Sequence, residues 1–340
     1  MAGADTPLTV AITGPTGTFG FGMAPLLQAD DRIGRMVGIA RRPFDPRDHG
    51  WDKMTYRRGD VRDQAALEAA FEGADVVVHL AFLITGTSTS DTIRDINIGG
   101  TLNAVRAAAA AGVRRFVYAS SVAAYGFHAD NPVGMTEDWP TRPARRLFYA
   151  QEKAQLETLL QDEVVAHPDL SLYLLRPPVV LGPHAVGAKD LLPGVLAPLG
   201  RQVTRRLGRV RLPVPVPTPV PDVPLQVIHE EDVGRALLHC VVGDGPPGAY
   251  NIAADDVISP VDIARELGLL PIPLPAAAVH PAARALAALP RPPLTPPAVE
   301  WVEALSHPAI MDTSRAKADL GWALSWSALA AVRDTLDRRA

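Results

Sequence analysis

The stretch that most constrains this chain is Thr13-Gly14-Pro15-Thr16-Gly17-Thr18-Phe19-Gly20. An apolar run, Leu8-Thr9-Val10-Ala11-Ile12, precedes it and reads as a buried strand. A helical pattern, Met23-Ala24-Pro25-Leu26-Leu27, follows. Strand, glycine-rich turn and helix together form the context of a dinucleotide-binding turn. Gly14 permits a tight turn, Gly17 lets backbone approach a pyrophosphate, and Gly20 lets the helix pack close to the strand. Phosphates then meet free N–H groups at the helix start. The spacing is G-x-x-G-x-x-G rather than G-x-G-x-x-G, so an ordinary glycine-rich strand–helix turn stands beside this reading until the rest of the chain decides.

The rest of the chain favours the first reading. Short apolar runs recur at Leu8–Thr13, Met36–Ala40, Met54–Arg58, Val76–Ala81, Phe116–Ser120 and Leu172–Arg176, with helical patterns between most of them. Several lack polar alternation, as strands covered on both faces do. Alternating strand and helix predicts an α/β fold: a Rossmann-type doubly wound parallel sheet with a smaller, mainly C-terminal substrate-binding lobe. Helices are expected over Asn97–Ala111, ending at Gly112, over Phe148–Gln161 and over Glu231–Val242. Residues 184–224 change texture: Arg201, Arg205, Arg206, Arg209 and Arg211 precede Pro213, Pro215, Pro217, Pro219, Pro221 and Pro224. Alternating Pro and Val favours extended chain, and the length of the excursion suggests a cap over a site. Its arginines either attract an anionic substrate or solvate a surface loop. Sheet-like text returns at Leu225–His229 and Ala249–Ala253. The expected division is a nucleotide-binding domain over 1–183, with 225–254 returning to it, and a substrate lobe from 184–224 and 255–340.

Composition excludes other classes. With 340 residues, 47% of them hydrophobic, the chain can bury a large core. A formal net charge of −4 and the lack of a long basic block argue against nucleic acid. No apolar run reaches the roughly 18 residues of a membrane span, and no basic region precedes an apolar one at the start. The expectation is a cytoplasmic protein that takes a small-molecule substrate. The single cysteine, Cys240, lies in an apolar helical stretch and reads as a buried, inert thiol. No metal site is expected: His229-Glu230-Glu231-Asp232-Val233 begins like H-E-x-x-H but has Val in the last place. His79 reads as a packed strand residue.

The chemistry converges on Tyr149 and Lys153. At i and i+4 they share a helix face. An ammonium beside a phenol favours phenolate and lowers its pKa, so the phenol can exchange a proton with a carbonyl or alcohol oxygen. Ser120 and Ser121 fall at the carboxyl end of a sheet strand, where open α/β sheets bind ligands. After the second strand the chain reads Ala40-Arg41-Arg42, with no acid for a ribose 2′-hydroxyl. Two arginines there suit a 2′-phosphate, so NADP (NADPH) is preferred over NAD.

In order along nearly the whole chain, these marks resemble the extended short-chain dehydrogenase/reductase family, of the NAD-dependent epimerase/dehydratase kind. They are Thr13–Gly20, Gly59-Asp60-Val61, Val78-His79-Leu80-Ala81, Asn97-Ile98-Gly99-Gly100-Thr101, Ala119–Gly126 and Tyr149/Lys153. Further marks are Arg176-Pro177, Gly182-Pro183, Ile228–Val233, Tyr250-Asn251-Ile252, Asp312-Thr313-Ser314 and Leu320-Gly321-Trp322. The resemblance implies that Gly14, Thr16, Gly17, Thr18, Phe19, Gly20, Arg41, Arg42, Asp60, Val61, Leu80, Ala81, Ala119 and Pro177 line the cofactor, together with Tyr149 and Lys153. It implies Ser121, Tyr149, Lys153 and Asn97 as the catalytic set, with Lys153 on the nicotinamide ribose. Phe82, Ser121, Tyr125 and Val179 are then expected near the substrate. Sugar-nucleotide members carry Asn where Val179 stands and Arg where Leu225 stands, and those losses remove charged hydrogen bonds worth roughly 1.5–3 kcal/mol each.

Three functions follow as expectations. The first is an NADPH-dependent ketoreductase acting on a fairly large apolar or aromatic carbonyl compound, such as a polyketide-like secondary metabolite of the kind made in antibiotic biosynthesis. The second is a sugar-nucleotide epimerase or dehydratase with tightly held NAD. The third is a non-catalytic NADP-binding protein. Helices Asn97–Ala111 and Phe148–Gln161 are expected to serve dimerisation if the protein is a homodimer rather than a monomer.

Overall fold

The computed structural model describes residues 6–84, 90–145, 147–185, 217–275 and 307–337. Seven parallel strands form the central sheet: β1 (Leu8–Thr13), β2 (Ile33–Ala40), β3 (Met54–Arg58), β4 (Val76–His79), β5 (Arg115–Ala119), β6 (Ser171–Arg176) and β10 (Gly248–Asn251). Their spatial order is β10-β6-β5-β4-β1-β2-β3, every pairing parallel. The order reverses between β1 and β4, and that switch point is where such sheets open a crevice at their carboxyl ends.

Side chains alternate between two covered faces, as the strand pleat requires. Val10, Ile12, Val76, Val78, Val117, Tyr173 and Leu175 pack on one face with residues of α1 (Thr18–Ala29) and α6 (Glu230–Val242). Ala11, Val37, Ile39, Val77, Phe116, Tyr118, Leu172 and Leu174 pack on the other with α2 (Gln64–Phe71), α4 (Gly100–Ala110) and α5 (Phe148–Ala166). Caps set some helix starts: Asp63 accepts the Ala66 N–H at 3.1 Å, and Ser259 with Asp262 forms a capping box for α7 (Pro260–Glu266).

Two helix predictions need correction. The helix expected from Asn97 begins earlier, with α3 (Ser90–Arg94), and passes through a π-helical turn, Asp95–Gly99, before α4. The helix carrying Tyr149 runs on to Ala166. Leu225–His229 contributes β9 (Val227–His229), which pairs with β7 (Val179–Leu181) as a separate parallel ladder rather than joining the main sheet.

The arginines of the 184–224 excursion and Pro213 and Pro215 lie outside the described residues. Its last part forms β8 (Pro217–Pro221), parallel to β11 (Leu270–Leu274). Thr218 and Val220 turn inward there, while Pro217 and Pro219 face out. The expected extended chain is thus a paired strand.

Residues assigned to the lobe also reach the main core. Ala316 and Leu320 of α8 (Ser314–Leu320) and Trp322 belong to the same cluster as Val10. The Trp322 indole donates to the Asp232 carbonyl at 3.0 Å, and the Asp232 carboxylate accepts the N–H groups of Ser325 and Trp326 at 2.9 and 3.1 Å. The last described helix, α9 (Ala328–Asp337), packs Ala328, Ala331 and Val332 against Leu181 and Val227.

Candidate active site

The glycine turn is built as a cradle, and its three glycines have different reasons to be there. Gly14 has φ +70°, and a Cβ on it would stand 2.9 Å from the Ala81 nitrogen, so the turn presses on the end of β4. A Cβ on Gly20 would stand 2.1 Å from the Pro15 carbonyl oxygen, so this glycine closes the helix onto its own turn rather than onto the strand. Gly17 is different: a Cβ there would meet only the Gly14 oxygen, at an ordinary 3.5 Å. The protein's own packing does not demand a glycine at 17. Gly17 is the N-cap of α1, and no side chain caps the helix start. A smooth concavity before a helix N-terminus suits a pyrophosphate, so these residues fit a dinucleotide. Thr16, Thr18 and Phe19 are half-buried on the same turn; the Thr18 hydroxyl donates to the His184 carbonyl at 3.0 Å, and Phe19 packs against the core.

The remaining cofactor candidates divide by position. The Leu80 and Ala81 N–H groups donate to the Thr13 carbonyl and hydroxyl at 3.1 and 3.2 Å, which fixes β4's end beside the turn. Arg41 and Arg42 are exposed beyond β2, and neither forms a salt bridge among the described residues. Their carbonyls are tied down instead, by Arg58 Nε at 3.0 Å and by the Tyr56 hydroxyl at 2.5 Å. The Asp60 carboxyl is held below its usual value, chiefly by the hydrogen-bonded Arg62 guanidinium at 2.8 Å. Val61 turns into the core, against Gly100 at the start of α4. Pro177 is buried, and its carbonyl accepts the Val122 N–H at 2.9 Å.

Ser121, Tyr149 and Lys153 meet at the carboxyl end of β5, one strand from the switch point. Ser121 caps a short 3₁₀ turn, accepting the Ala123 N–H at 3.2 Å. Burial raises the Tyr149 phenol above the usual tyrosine value, opposed by a hydrogen bond with Ser121. The expectation that Lys153 lowers this phenol's pKa is therefore corrected. The ammonium stands 5.8 Å from the Tyr149 ring centroid. It turns instead to the Ala119 carbonyl at 2.6 Å and the Tyr118 hydroxyl at 3.1 Å. Phe82 lies against it, with Nζ 3.8 Å from the ring centroid, and meets Tyr149 edge to face at 5.6 Å. Burial pushes Lys153 down to about 7, against the charges of Glu157 and Glu152.

Asn97 sits in the π-helical turn, fully buried. Its side chain accepts the Leu83 N–H at 2.8 Å and donates to the Leu83 carbonyl at 3.0 Å and to Glu152 Oε2 at 2.7 Å. It thus clamps the loop that carries Phe82. Glu152 is raised by burial, and its Oε1 has no hydrogen-bond partner among the described residues. The Asn97 carbonyl ends a buried polar chain that sequence reasoning did not find. Thr101 donates to that carbonyl at 2.6 Å, so it accepts from His79 Nε2 at 3.0 Å. His79 Nδ1 then accepts from Thr13 at 2.8 Å, and Thr13 accepts from Ala81. The network assigns one tautomer. Burial lowers His79 to about 3, which keeps the ring neutral.

Tyr125 is not where a substrate residue was expected, whereas Val179 is half-buried. Tyr125 is fully buried; its hydroxyl donates to Asn251 Oδ1 at 2.8 Å and accepts from Arg176 at 2.6 Å. The 3₁₀ turn after Ser121 carries it inward. Val179 packs with Leu225, Leu181 and Ile258 in an apolar cluster against α9.

A parallel sheet whose switch point holds a glycine cradle defines a Rossmann-type dinucleotide-binding protein. The chain belongs to the NAD dependent epimerase/dehydratase family, within the extended short-chain dehydrogenases/reductases; the family's sequence model matches residues 10–253. Among its relatives is the Mycobacterium tuberculosis protein Rv0501, 26% identical over 96% of this chain and 83% of that protein. Another is the Escherichia coli O157:H7 N-acetyl-alpha-D-glucosaminyl-diphospho-ditrans,octacis-undecaprenol 4-epimerase, 37% identical over 36% of this chain and 37% of that enzyme. In structure, the chain is similar to the Bordetella bronchiseptica enzyme WbmG in complex with NAD (TM-score 0.68, 19% identity, 99% and 96% of the two chains). It is also similar to MoeE5 in complex with UDP-glucuronic acid and NAD (TM-score 0.69, 22% identity, 97% and 98%).

Proposed function

We propose that the chain moves hydride between a nicotinamide dinucleotide and the carbon of a secondary alcohol or ketone on a sugar nucleotide, as an epimerase or dehydratase. One observation carries the chemistry: Ser121, Tyr149 and Lys153 converge beside the cradle, at the carboxyl edge of the sheet. The nicotinamide, when bound, supplies the hydride acceptor and donor. Tyr149 Oη exchanges the proton with the substrate oxygen, and the Ser121 hydroxyl orients that oxygen. Lys153, already bonded to Ala119 and Tyr118, has donors left for a ribose hydroxyl. Phe82 keeps water from the lysine. The sugar-nucleotide class rests on the Escherichia coli 4-epimerase and on the UDP-sugar carried by MoeE5.

A second reading, an NADPH-dependent ketoreductase for an apolar or aromatic ketone, is favoured by Val179 and Leu225. Both pack into an apolar cluster and offer a diphosphate no donor. Arg41 and Arg42, without an acid at Ala40, favour the 2′-phosphate of NADP in either reading.

The test is to release and identify any copurified dinucleotide, then to supply UDP- and dTDP-sugars and, separately, a ketone panel with NADPH. Sugar conversion without net cofactor consumption supports the first reading. Stoichiometric NADPH oxidation with a ketone replaces it with the second. Binding of dinucleotide with no turnover in either panel leaves a non-catalytic NADP-binding protein.

A further inference from the structure

Tyr149, Lys153 and Glu157 are spaced four residues apart on α5 and so form one stripe along two helical turns. Tyr149 and Lys153 face the hydride-transfer site, and Glu157 stands one turn beyond them. Glu157 is 3% exposed, and three donors converge on its carboxylate. Arg176 Nε donates to Oε1 at 3.0 Å and Arg176 Nη2 to Oε2 at 2.6 Å. The Ser120 hydroxyl donates to Oε1 at 2.5 Å.

The third bond is the informative one. A bidentate arginine pair is complete without it. Ser120 adjoins Ser121, so this contact fixes the strand end from which the Ser121 hydroxyl projects. The other side of Ser121 is held too, by the Val122 N–H on the Pro177 carbonyl at 2.9 Å. Pro177 follows Arg176, so both anchors of the Ser121 backbone lead back to the Glu157–Arg176 pair. Arg176 is fixed in turn by donating to the Tyr125 hydroxyl and, at 3.1 Å, to the Glu137 carbonyl.

Glu157 also acts on the lysine. The groups facing Lys153 are Tyr118 and the Ala119 carbonyl from β5, His79 from β4, Phe82 from the adjoining loop, and Tyr149, Glu152 and Glu157 from α5. His79 is neutral, Tyr118 is an uncharged phenol raised by burial, and Glu152 is raised towards its neutral form. Of the two carboxylates beside the lysine, Glu157 acts on it more strongly than Glu152, and it lies one turn further along the same stripe.

We propose that Glu157 is a positioning residue for the site, its one carboxylate anchoring the strand end that presents Ser121 and supplying negative charge to the buried ammonium of Lys153. The chemical consequence rests on the hydride-transfer reading; the physical arrangement does not.

Two variants separate the roles. Lysine ε-carbons are labelled with ¹³C, the Lys153 signal is identified by its loss in Lys153→Met, and its titration is followed by NMR. Wild type is expected to titrate near 7. Glu157→Gln is expected to move that midpoint down by about one unit or more, and Ser120→Ala, which keeps the charge, to leave it in place. With the best substrate of either panel, Ser120→Ala is expected to lower kcat about ten-fold with KM within two-fold, as loss of an oriented hydroxyl does. An unmoved Lys153 midpoint in Glu157→Gln, or an unchanged kcat in Ser120→Ala, overturns the proposal. If Glu157→Gln fails to fold, Ser120→Ala decides by its kcat alone. If no panel member turns over, the hydride-transfer reading has failed, and the lysine titration still decides this one.

Discussion

Gly22 of α1 and Gly234 of α6 meet backbone to backbone. A Cβ on Gly22 would stand 2.0 Å from the Glu230 carbonyl oxygen, and one on Gly234 would stand 2.1 Å from the Gly22 oxygen. The helix that opens the cradle is thus seated directly on the helix behind it. Gly22→Ala is expected to force the pair apart and to cost about 1–3 kcal/mol or more. Gly17→Ala, whose Cβ makes only an ordinary 3.5 Å contact with the Gly14 oxygen, should stay within about 0.5 kcal/mol of wild type while weakening dinucleotide binding. Urea denaturation and quenching of protein fluorescence by NADH measure the two effects; equal loss of stability in both variants refutes the distinction.

Tyr149 and Tyr125 predict opposite phenotypes. Tyr149→Phe removes the proposed proton carrier and should lower turnover about 10²–10⁴-fold at nearly unchanged stability. Tyr125→Phe takes the donor from buried Asn251 Oδ1 and one acceptor from Arg176, which keeps Glu157 and the Glu137 carbonyl, and should cost about 1–3 kcal/mol in stability. Paired kinetics and denaturation curves check this, and a Tyr149→Phe enzyme at full rate removes that residue from the mechanism.

Lys153 makes stability depend on pH with a definite sign. The unfolded lysine takes its proton near 10.5 and the folded one near 7. Between those values the unfolded chain holds the extra proton, so stability rises with pH by about 1.4 kcal/mol per unit from this group. Below about 7 both states carry the proton and the full penalty stands. Lys153→Met should therefore be more stable than wild type, most clearly below pH 7, with the advantage fading as pH approaches 10.5. Denaturant midpoints across that window measure it; an advantage that grows with pH contradicts the assignment.

Arg176 works against burial, yet Glu157 and Tyr125 hold its guanidinium above the ordinary value. Arg176→Met leaves Glu157 as an unpaired buried charge. The expected loss is about 3–5 kcal/mol, read from denaturation curves.

Arg41 and Arg42 are tested by selectivity. Arg41→Ala and Arg42→Ala, singly and together, should weaken 2′,5′-ADP binding while leaving 5′-AMP within two-fold. Calorimetry with the two nucleotides decides; a parallel loss of both ligands shows that the arginines do not read the 2′-phosphate.

Most of the sheet was legible because buried parallel strands write continuous apolar runs, as β1 and β6 do; β3 is an edge strand, Met-Thr-Tyr-Arg-Arg, largely exposed and without such a run. Tyr149 and Lys153 share a helix face as their spacing requires, while strand-end geometry offered Ser120 and Ser121 alike and only the family resemblance singled out Ser121. Glu157 carried the same four-residue spacing, but an acid on a helix reads as solvated until Arg176, at the end of β6 on the face α5 covers, is seen to pair with it. Asn97 was singled out, yet its π-helical turn has no period of its own in sequence. His79 read correctly as a packed strand residue, while its hydrogen-bonded neighbours, Thr13 and Thr101, lie far away in the chain. Tyr125 misled because a motif gives position along the backbone, and the 3₁₀ turn decides which way the ring faces. Gly22 and Gly234 carry no local signal, since each is required only by the other's helix.

Trp322 shares a cluster with Val10, the second with β1 at the sheet's switch point and the first with the segment beyond α8. On a ribosome, β1 is made long before the tryptophan that packs into its cluster. Order of synthesis and order of burial therefore run in opposite directions. A nascent chain halted before Trp322 has the whole sheet yet leaves the Asp232 carbonyl and its neighbouring apolar surface uncovered.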